Sequence, residues 1–335
     1  MRAPGFWRGP TPSPLAQALR PAAAIYGSVA AARMVRVGAL ASVPVICIGN
    51  FTVGGTGKTP AALAVAALLA QSGEKPFFLT RGHGGRIAGP EAIDLSLHGH
   101  GDVGDEPLLL ARAAPTIVSR DRPAGAALAA RMGASVVVMD DGFQNSSLVK
   151  DLGLLLVDGE TGVMNGLCLP AGPLRAPLEA QWPHVDALVV MGEGAAGDRL
   201  AAQARERRIS VLRARLEPEP EAAQRLAGAR LLAFAGIGRP EKFFDTLRAC
   251  GAHLVEAEPF PDHHPYSSSE LAALRARAAA RGLTLATTEK DAVRLTDAGD
   301  IATLPVRAVF DDAQALNALL RVALTRARER RSVAK

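Results

Sequence analysis

Over most of its length the chain alternates between short, continuous apolar runs and longer stretches whose apolar and small residues recur at helical spacing. Residues 43–48 read as a strand, and residues 59–72, rich in Ala and Leu and stopped by Gly73, read as a helix. The same reading gives strands at 76–80, 116–119, 135–139 and 152–157, with helices at 106–113 and 124–132. Strands alternating with helices in this order predict an α/β fold, a parallel sheet covered by helices on both faces. The Gly/Pro-rich segment 159–177 then breaks the rhythm.

A second series follows. Residues 187–191, 209–214, 230–235, 253–257 and 283–287 read as strands, and 240–250 and 268–281 as helices. The last of these is opened by Ser267-Ser268-Ser269-Glu270, the pattern of a capping box. The expected layout is a core at 41–180, a second, smaller α/β domain at 181–320 that closes over a cleft, and a basic tail at 321–335. Ahead of them stands an amphipathic segment at 1–40. There Leu15, Leu19, Ala22, Tyr26 and Val29 share one helical face, with Arg20, Arg33 and Arg36 around it. Such a face suits packing on the domain, or lying in a membrane interface with arginines at the headgroups.

A chain of 335 residues accommodates about two domains. With 48% hydrophobic and 21% charged residues, disorder is excluded. The net charge of +5 suits an anionic partner without selecting one. Cys47, Cys168 and Cys250 form no metal or disulfide pattern, so a reducing compartment is expected. No apolar run approaches the ~18 residues of a spanning helix, and no signal-peptide core is evident.

The chemistry begins where the first strand ends. In Thr52-Val53-Gly54-Gly55-Thr56-Gly57-Lys58-Thr59, glycines let backbone N–H groups face an anion, Lys58 reaches terminal phosphates and the Thr59 hydroxyl suits Mg²⁺. Thr52 stands where the usual pattern has its first glycine. The fold class is therefore a P-loop NTPase-type domain. Val136-Val137-Val138-Met139 followed by Asp140-Asp141 fits the second acidic strand, Asp140 and Asp141 serving the metal. Thr288-Glu289-Lys290-Asp291 is not a guanine-specificity motif, so ATP is expected rather than GTP. The Gly-Gly-x-Gly-Lys-Thr form also resembles the switch ATPases of the partitioning and ion-pump type, which act on a protein or metal cargo. Those carry an early lysine where this chain has Val53.

The ordered blocks GNFTVGGTGKTP, LTRGHGGR, VGDEPLLLA, DDGFQ, NGLCLPAGPLR, FAGIGRPEKFF, FPDHHPY and TTEKDAVRL resemble those of the tetraacyldisaccharide 4'-kinases, the lipid A 4'-kinases of Gram-negative bacteria. The resemblance covers about Val43 to Leu295. It implies ATP- and Mg²⁺-dependent phosphorylation of the 4'-hydroxyl of a tetraacylated disaccharide 1-phosphate, a lipid A precursor. It also implies a peripheral enzyme on the cytoplasmic face of the inner membrane, with no nucleic acid and no obligate protein partner. Its catalytic dyad falls on Asp105 and His263, beside Lys58 and Asp141. An alcohol needs a carboxylate base, and a histidine can tune that base. Asp105 also stands where a helix cap stands, and His263 and His264 are both loop histidines.

For the substrate, Arg175 is the first choice to receive a phosphate bidentately, followed by Arg122 and Arg120, with Gln144 and Asn145 beside them. Arg81 and Arg86 serve ATP or hold their loop. The chain departs from the family in Asn145 for a usual histidine, His83 for tyrosine, Met164 for glycine and Ala176 for glutamate. These departures touch contact geometry rather than phosphate transfer.

Overall fold

The computed structural model describes residues 4–295 and 297–333; the first three and last two positions of the expected terminal segments lie outside the described residues. Two helices lead, α1 (Pro14–Ala18) and α2 (Arg20–Met34), the first capped by the Ser13 hydroxyl accepting from the Ala16 N–H at 3.2 Å. The core then runs β1 (Val45–Asn50), α3 (Lys58–Gln71), β2 (Pro76–Thr80), the short edge strand β3 (Glu91–Ala92), α4 (His100–Val103), α5 (Asp105–Ala111), β4 (Thr116–Val118), α6 (Arg122–Arg131), β5 (Val136–Asp140) and β6 (Leu152–Asp158). Next come α7 (Leu178–Gln181), β7 (Ala187–Met191), α8 (Ala195–Glu206) and β8 (Ser210–Pro218). A second run follows with α9 (Pro220–Leu226), β9 (Arg230–Ala235), α10 (Pro240–Ala249), β10 (His253–Pro259), α11 (Ser268–Ala280), β11 (Thr284–Thr288), α12 (Glu289–Ala292) and β12 (Ala302–Leu304). The chain closes with β13 (Val306–Phe310) and α13 (Ala313–Val333).

The large sheet has nine strands in the order β13-β8-β7-β6-β1-β5-β2-β4-β3. Only its edges are antiparallel, β13 to β8 and β3 to β4. Strands β1, β5, β6 and β7 are buried along their whole length, which is why they read as unbroken apolar runs rather than alternating ones. Along β1, Ile46 and Ile48 pack with Val65 and Leu69 of α3 and Leu316 and Leu320 of α13. Val45 and Cys47 face the opposite layer, with Ala126 of α6 and Leu200 of α8. The parallel strands end at one rim, where α/β sheets bind ligands.

The second sheet is all parallel, in the order β10-β9-β11-β12. Phe243, Phe244 and Leu247 of α10 cover one face, and Leu271 and Leu274 of α11 the other. Ser267 and Glu270 form the expected capping box.

Strand pairing corrects the expected boundaries. Strands β7 and β8 were expected in a second domain starting at 181, yet both belong to the large sheet, and so does β13. The second unit is instead an insertion between β8 and β13, neighbouring antiparallel strands whose exits are tied by the Glu219 N–H donating to the Pro305 carbonyl at 2.9 Å. Its two crossings of the boundary lie side by side. The described part of the basic tail, read from sequence as a solvated helix end, continues α13 with Arg326, Arg328 and Arg330 exposed; Arg331 departs from that reading, buried with its guanidinium on Asp151 at 2.7 and 3.0 Å.

At the other end, the buried face of α2 is Ala23, Gly27 and Met34. The predicted apolar face is the outer one, with Tyr26 and Val29 exposed alongside Ile25, which is 70% exposed. Among the described residues no helix is long and apolar enough to cross a membrane.

Candidate active site

Strand β1 delivers Asn50 to the rim, and the chain turns through Phe51–Gly57 into α3. Thr52 bridges antiparallel to Leu174, the Val53 N–H donates to the Pro173 carbonyl (2.9 Å) and the Arg175 N–H to the Phe51 carbonyl (3.0 Å). That strap accounts for Thr52 in the first-glycine position: the backbone there is extended and paired, so no left-handed residue is needed. Gly57 does need its freedom, with φ +82°, and an added Cβ would press on Met191 at 3.2 Å. The first N–H groups of α3 lie beyond it, unused within the helix and open to an anion.

Lys58 crosses this mouth, its Nζ 3.4 Å from the Gly54 carbonyl and 3.8 Å from Asp141. The Thr59 hydroxyl donates to Asp140 Oδ2 at 3.1 Å, while Asp140 Oδ1 is buried with no hydrogen-bond partner. A hydroxyl beside an unmatched carboxylate oxygen is the hard-oxygen set Mg²⁺ takes. Among the described residues no group of three or more His, Cys, Asp or Glu could cage a metal.

The adjacent carboxylates are driven apart. Burial, Glu106 and Asp141 push Asp140 up to about 7, against Lys58 and Thr59. Burial also opposes charge on Asp141, but Lys58 and the bidentate fork of Arg175 hold it down at about 2. That fork spans 2.7 and 2.9 Å, and Arg175 Nε donates to the Thr52 carbonyl at 3.0 Å.

Across the mouth, α5 brings Asp105 and Glu106. Gly104, at φ +89°, must be glycine because a Cβ would lie 2.2 Å from the His83 carbonyl oxygen. Asp105 caps nothing. Its Oδ2 sits 2.9 Å from Nδ1 of His263, a residue of the inserted unit, and 2.6 Å from Nε of Arg294. His263 holds a left-handed φ of +59° with its N–H on the Gly236 carbonyl, and His264 turns away to Glu270 at 3.0 Å and to the Phe260 and Tyr266 rings. Geometry thus separates two histidines that sequence could not. Glu106 pairs with Lys290 at 2.9 Å and its charge acts on both Lys58 and Asp140, so the start of α5 faces the phosphate loop.

The expected substrate contacts divide. Arg175 is committed to Asp141 and the loop rather than presented to a substrate. Arg122 is buried, with Nη1 on the Ser119 carbonyl at 2.5 Å and Nε unpartnered. Arg120 is exposed. Gln144 donates to the Asn50 carbonyl and to Gln181, both at 2.8 Å, and so braces the exit of β1. Asn145 closes an Asx turn on Ser147, which spends its side chain locally. Arg86 pairs with Asp102 at 2.7 Å.

The charged residues of TTEKDAVRL and FAGIGRPEKFF have partners that the sequence does not reveal. Lys290 and Arg294 reach α5, and Arg239 and Lys242 both pair with Asp158 at the end of β6, the latter at 3.1 Å. The i,i+3 spacing of Asp291 and Arg294 was the available signal. Past Met191 a cleft of about 520 Å³, lined by Gly192, Gly194, Arg213, Arg215 and Asp311, opens at the end of β7 beside the middle of β8.

The model of the family described as tetraacyldisaccharide-1-P 4'-kinase matches residues 15–325. A protein of Methylobacterium radiotolerans named tetraacyldisaccharide 4'-kinase is 58% identical over 97% of this chain and 99% of its own. One of the same name from Bradyrhizobium sp. is 50% identical over 100% of this chain and 99% of its own. The crystal structure of the apo form of LpxK from Aquifex aeolicus in complex with ATP is similar over 92% of this chain and 99% of that one, with a TM-score of 0.72 and 25% identity. These likenesses run through the large sheet and the inserted unit together, and they give the switch-ATPase alternative no support.

Proposed function

This chain belongs to the tetraacyldisaccharide 4'-kinase family and is an ATP-dependent kinase of lipid A biosynthesis, and from that premise we propose how its residues divide the work. The N–H groups of the Thr52–Thr59 loop and Lys58 hold the ATP phosphates, and the cleft beside Met191 takes the nucleoside. Thr59 and Asp140 would hold Mg²⁺, with Asp141 beside them, and the site would thereby gain positive charge against the negative charge of the transferring phosphoryl group. Arg175 keeps Asp141 ionised and in place, which replaces the expectation that it receives the substrate phosphate. Arg120 and Arg122 are left as the phosphate-reading candidates for the disaccharide.

The 4'-hydroxyl attacks Pγ in line as the bond from Pγ to the β-bridging oxygen breaks, and ADP leaves. The hydroxyl proton passes to the Asp105–His263 pair. The observation that carries this reading is the 2.9 Å contact between Asp105 of the core and His263 of the inserted unit, beside the phosphate loop. A base built from two units is complete only when they are together, which ties transfer to closure.

The membrane side rests on α2. Ile25, Tyr26 and Val29 are exposed on a helix flanked by Arg20, Arg33 and Arg36, so the outer face suits the cytoplasmic surface of the inner membrane, where a lipid substrate lies.

The direct test is transfer of radiolabelled phosphate from ATP to tetraacyldisaccharide 1-phosphate in detergent or membranes. Asp105→Asn and His263→Ala should each lose about 10²-fold or more in kcat while remaining folded. Wild-type rates in both would sink the dyad.

A further inference from the structure

Arg294 lies just past α12 and is 3% exposed. Its Nε donates to Asp105 Oδ2 at 2.6 Å, and its Nη1 to the Gly236 carbonyl at 3.0 Å and Asp291 Oδ1 at 2.9 Å. Asp291 is fully buried and also accepts from the Gly236 N–H (3.0 Å) and the Tyr266 hydroxyl (2.9 Å). A buried guanidinium is costly unless paired and hydrogen-bonded. Here the loops after β9, β10 and β11 have been organised around one, and its contact with the core is Asp105.

We propose that Arg294 is a positioning residue for phosphoryl transfer: it fixes the Asp105 carboxylate, in ionised form, against His263. The inference rests on the dyad described above. Simple adhesion between the units is already provided one residue along, where Lys290 meets Glu106. The Arg294 contact differs in kind, because it falls on the same oxygen that meets His263. Two donors on Oδ2 remove the freedom of the carboxylate to rotate and leave its other oxygen to be aimed. A carboxylate so held is pre-set for a proton transfer that tolerates little misplacement.

Charge works in the same direction. Burial pushes Asp105 toward the neutral acid, and His263 and Arg294 overcome it to hold the group below the usual carboxylate range. The charged and titratable groups around it are His263 and Arg294 of the inserted unit, Lys290 on α12, Glu106 on its own helix, Asp291 and Asp262, with the His83 ring 6.0 Å from that of His263. Without Arg294, Asp105 keeps its histidine but loses the permanent cation.

The experiment compares Arg294→Met, Arg294→Lys, Asp105→Asn and the double variant Arg294→Met/Asp105→Asn in the phosphate-transfer assay, with melting temperatures for each. Arg294→Met should lower kcat about 100-fold, keep the KM for ATP within about threefold, and move the acid limb of kcat/KM to higher pH. Arg294→Lys should return that limb toward wild type and recover part of the rate. In the Asp105→Asn background the methionine should cost nothing further, because its effect passes through Asp105. An unchanged kcat in Arg294→Met overturns the proposal. So does an unmoved acid limb with a loss that adds to that of Asp105→Asn, which is the mark of a structural prop. If the methionine variant does not fold, the acid limb of Arg294→Lys decides: it stays in place under the proposal, and a displaced limb overturns it. Wild-type rates in Asp105→Asn would instead remove the dyad itself, whatever Arg294→Met does.

Discussion

Asp140 and Asp141 are consecutive residues at the end of one buried strand, yet the fold gives them opposite tasks. Asp141 points to Lys58 and Arg175 and stays ionised at about 2. Asp140 accepts a hydrogen bond from the Thr59 hydroxyl and is pushed up to about 7 by burial and by Glu106 and Asp141. The sign follows for stability. The unfolded aspartate titrates near about 3.9, so what the protonated Asp140 contributes is complete below that value and is lost as pH rises through about 7. The metal-free protein should therefore lose melting temperature between about pH 4 and 7 and hold level above that. Asp140→Asn should remove that decline and melt higher at pH 8 in the absence of Mg²⁺, while phosphate transfer falls by about 100-fold or more. A functional site held at a cost in stability behaves this way. Scanning calorimetry of both proteins across that range checks it, and an equal decline in the variant would refute the assignment.

At the scale of elements, α2 carries the clearest consequence. Its packed face is made of small residues, Ala23 and Gly27, with Met34 at its end. A Cβ on Gly27 would sit 3.1 Å from Cys168 Sγ and 3.2 Å from Pro177, so the helix rests closely on the segment before α7. Its larger apolar side chains consequently face outward. Replacing Ile25 and Val29 by glutamate touches none of the buried contacts. The double variant should keep its melting temperature, sediment less with vesicles of anionic phospholipid, and show a raised KM for the lipid with an unchanged KM for ATP. Full sedimentation would mean that the outer face of α2 has no part in membrane contact.

For the whole molecule, the placing of the inserted unit matters most. It leaves and re-enters the large sheet through adjacent strands, β8 and β13, so a small change at residues 218–219 and 305–306 can move it as a body. Ion pairs then meet it at the rim, Glu106–Lys290 and Asp105–Arg294 at α5, and Asp158 with Arg239 and Lys242 beside β6. Lys290→Met removes a partly exposed pair worth about 1 kcal/mol. If that energy is used for closure, kcat should fall about fivefold, with a larger radius of gyration in small-angle scattering and little change in melting temperature. An unchanged radius and rate would show that the pair does not hold the units together.

Much of this was legible in the chain. The buried strands beside the phosphate loop, the glycines and Lys58 of that loop, the paired aspartates and the capping box of α11 are local, because each depends on residues within a few positions of one another. The family blocks also carried Asp105 and His263. What the sequence left open depended on partners far along the chain. Strands at 187–191 and 210–218 have the same pattern whichever sheet they join, and only the pairing of β7 with β6 and of β8 with β7 put them in the core. Arg175 reads as a phosphate ligand until Asp141 is found in its fork, and Arg331 of the basic tail reads as solvated until it is found on Asp151. Charge types and short-range periodicity are properties of the chain by itself. Which charges meet is decided by a fold that brings residues 105, 263 and 294 within hydrogen-bond reach of one oxygen.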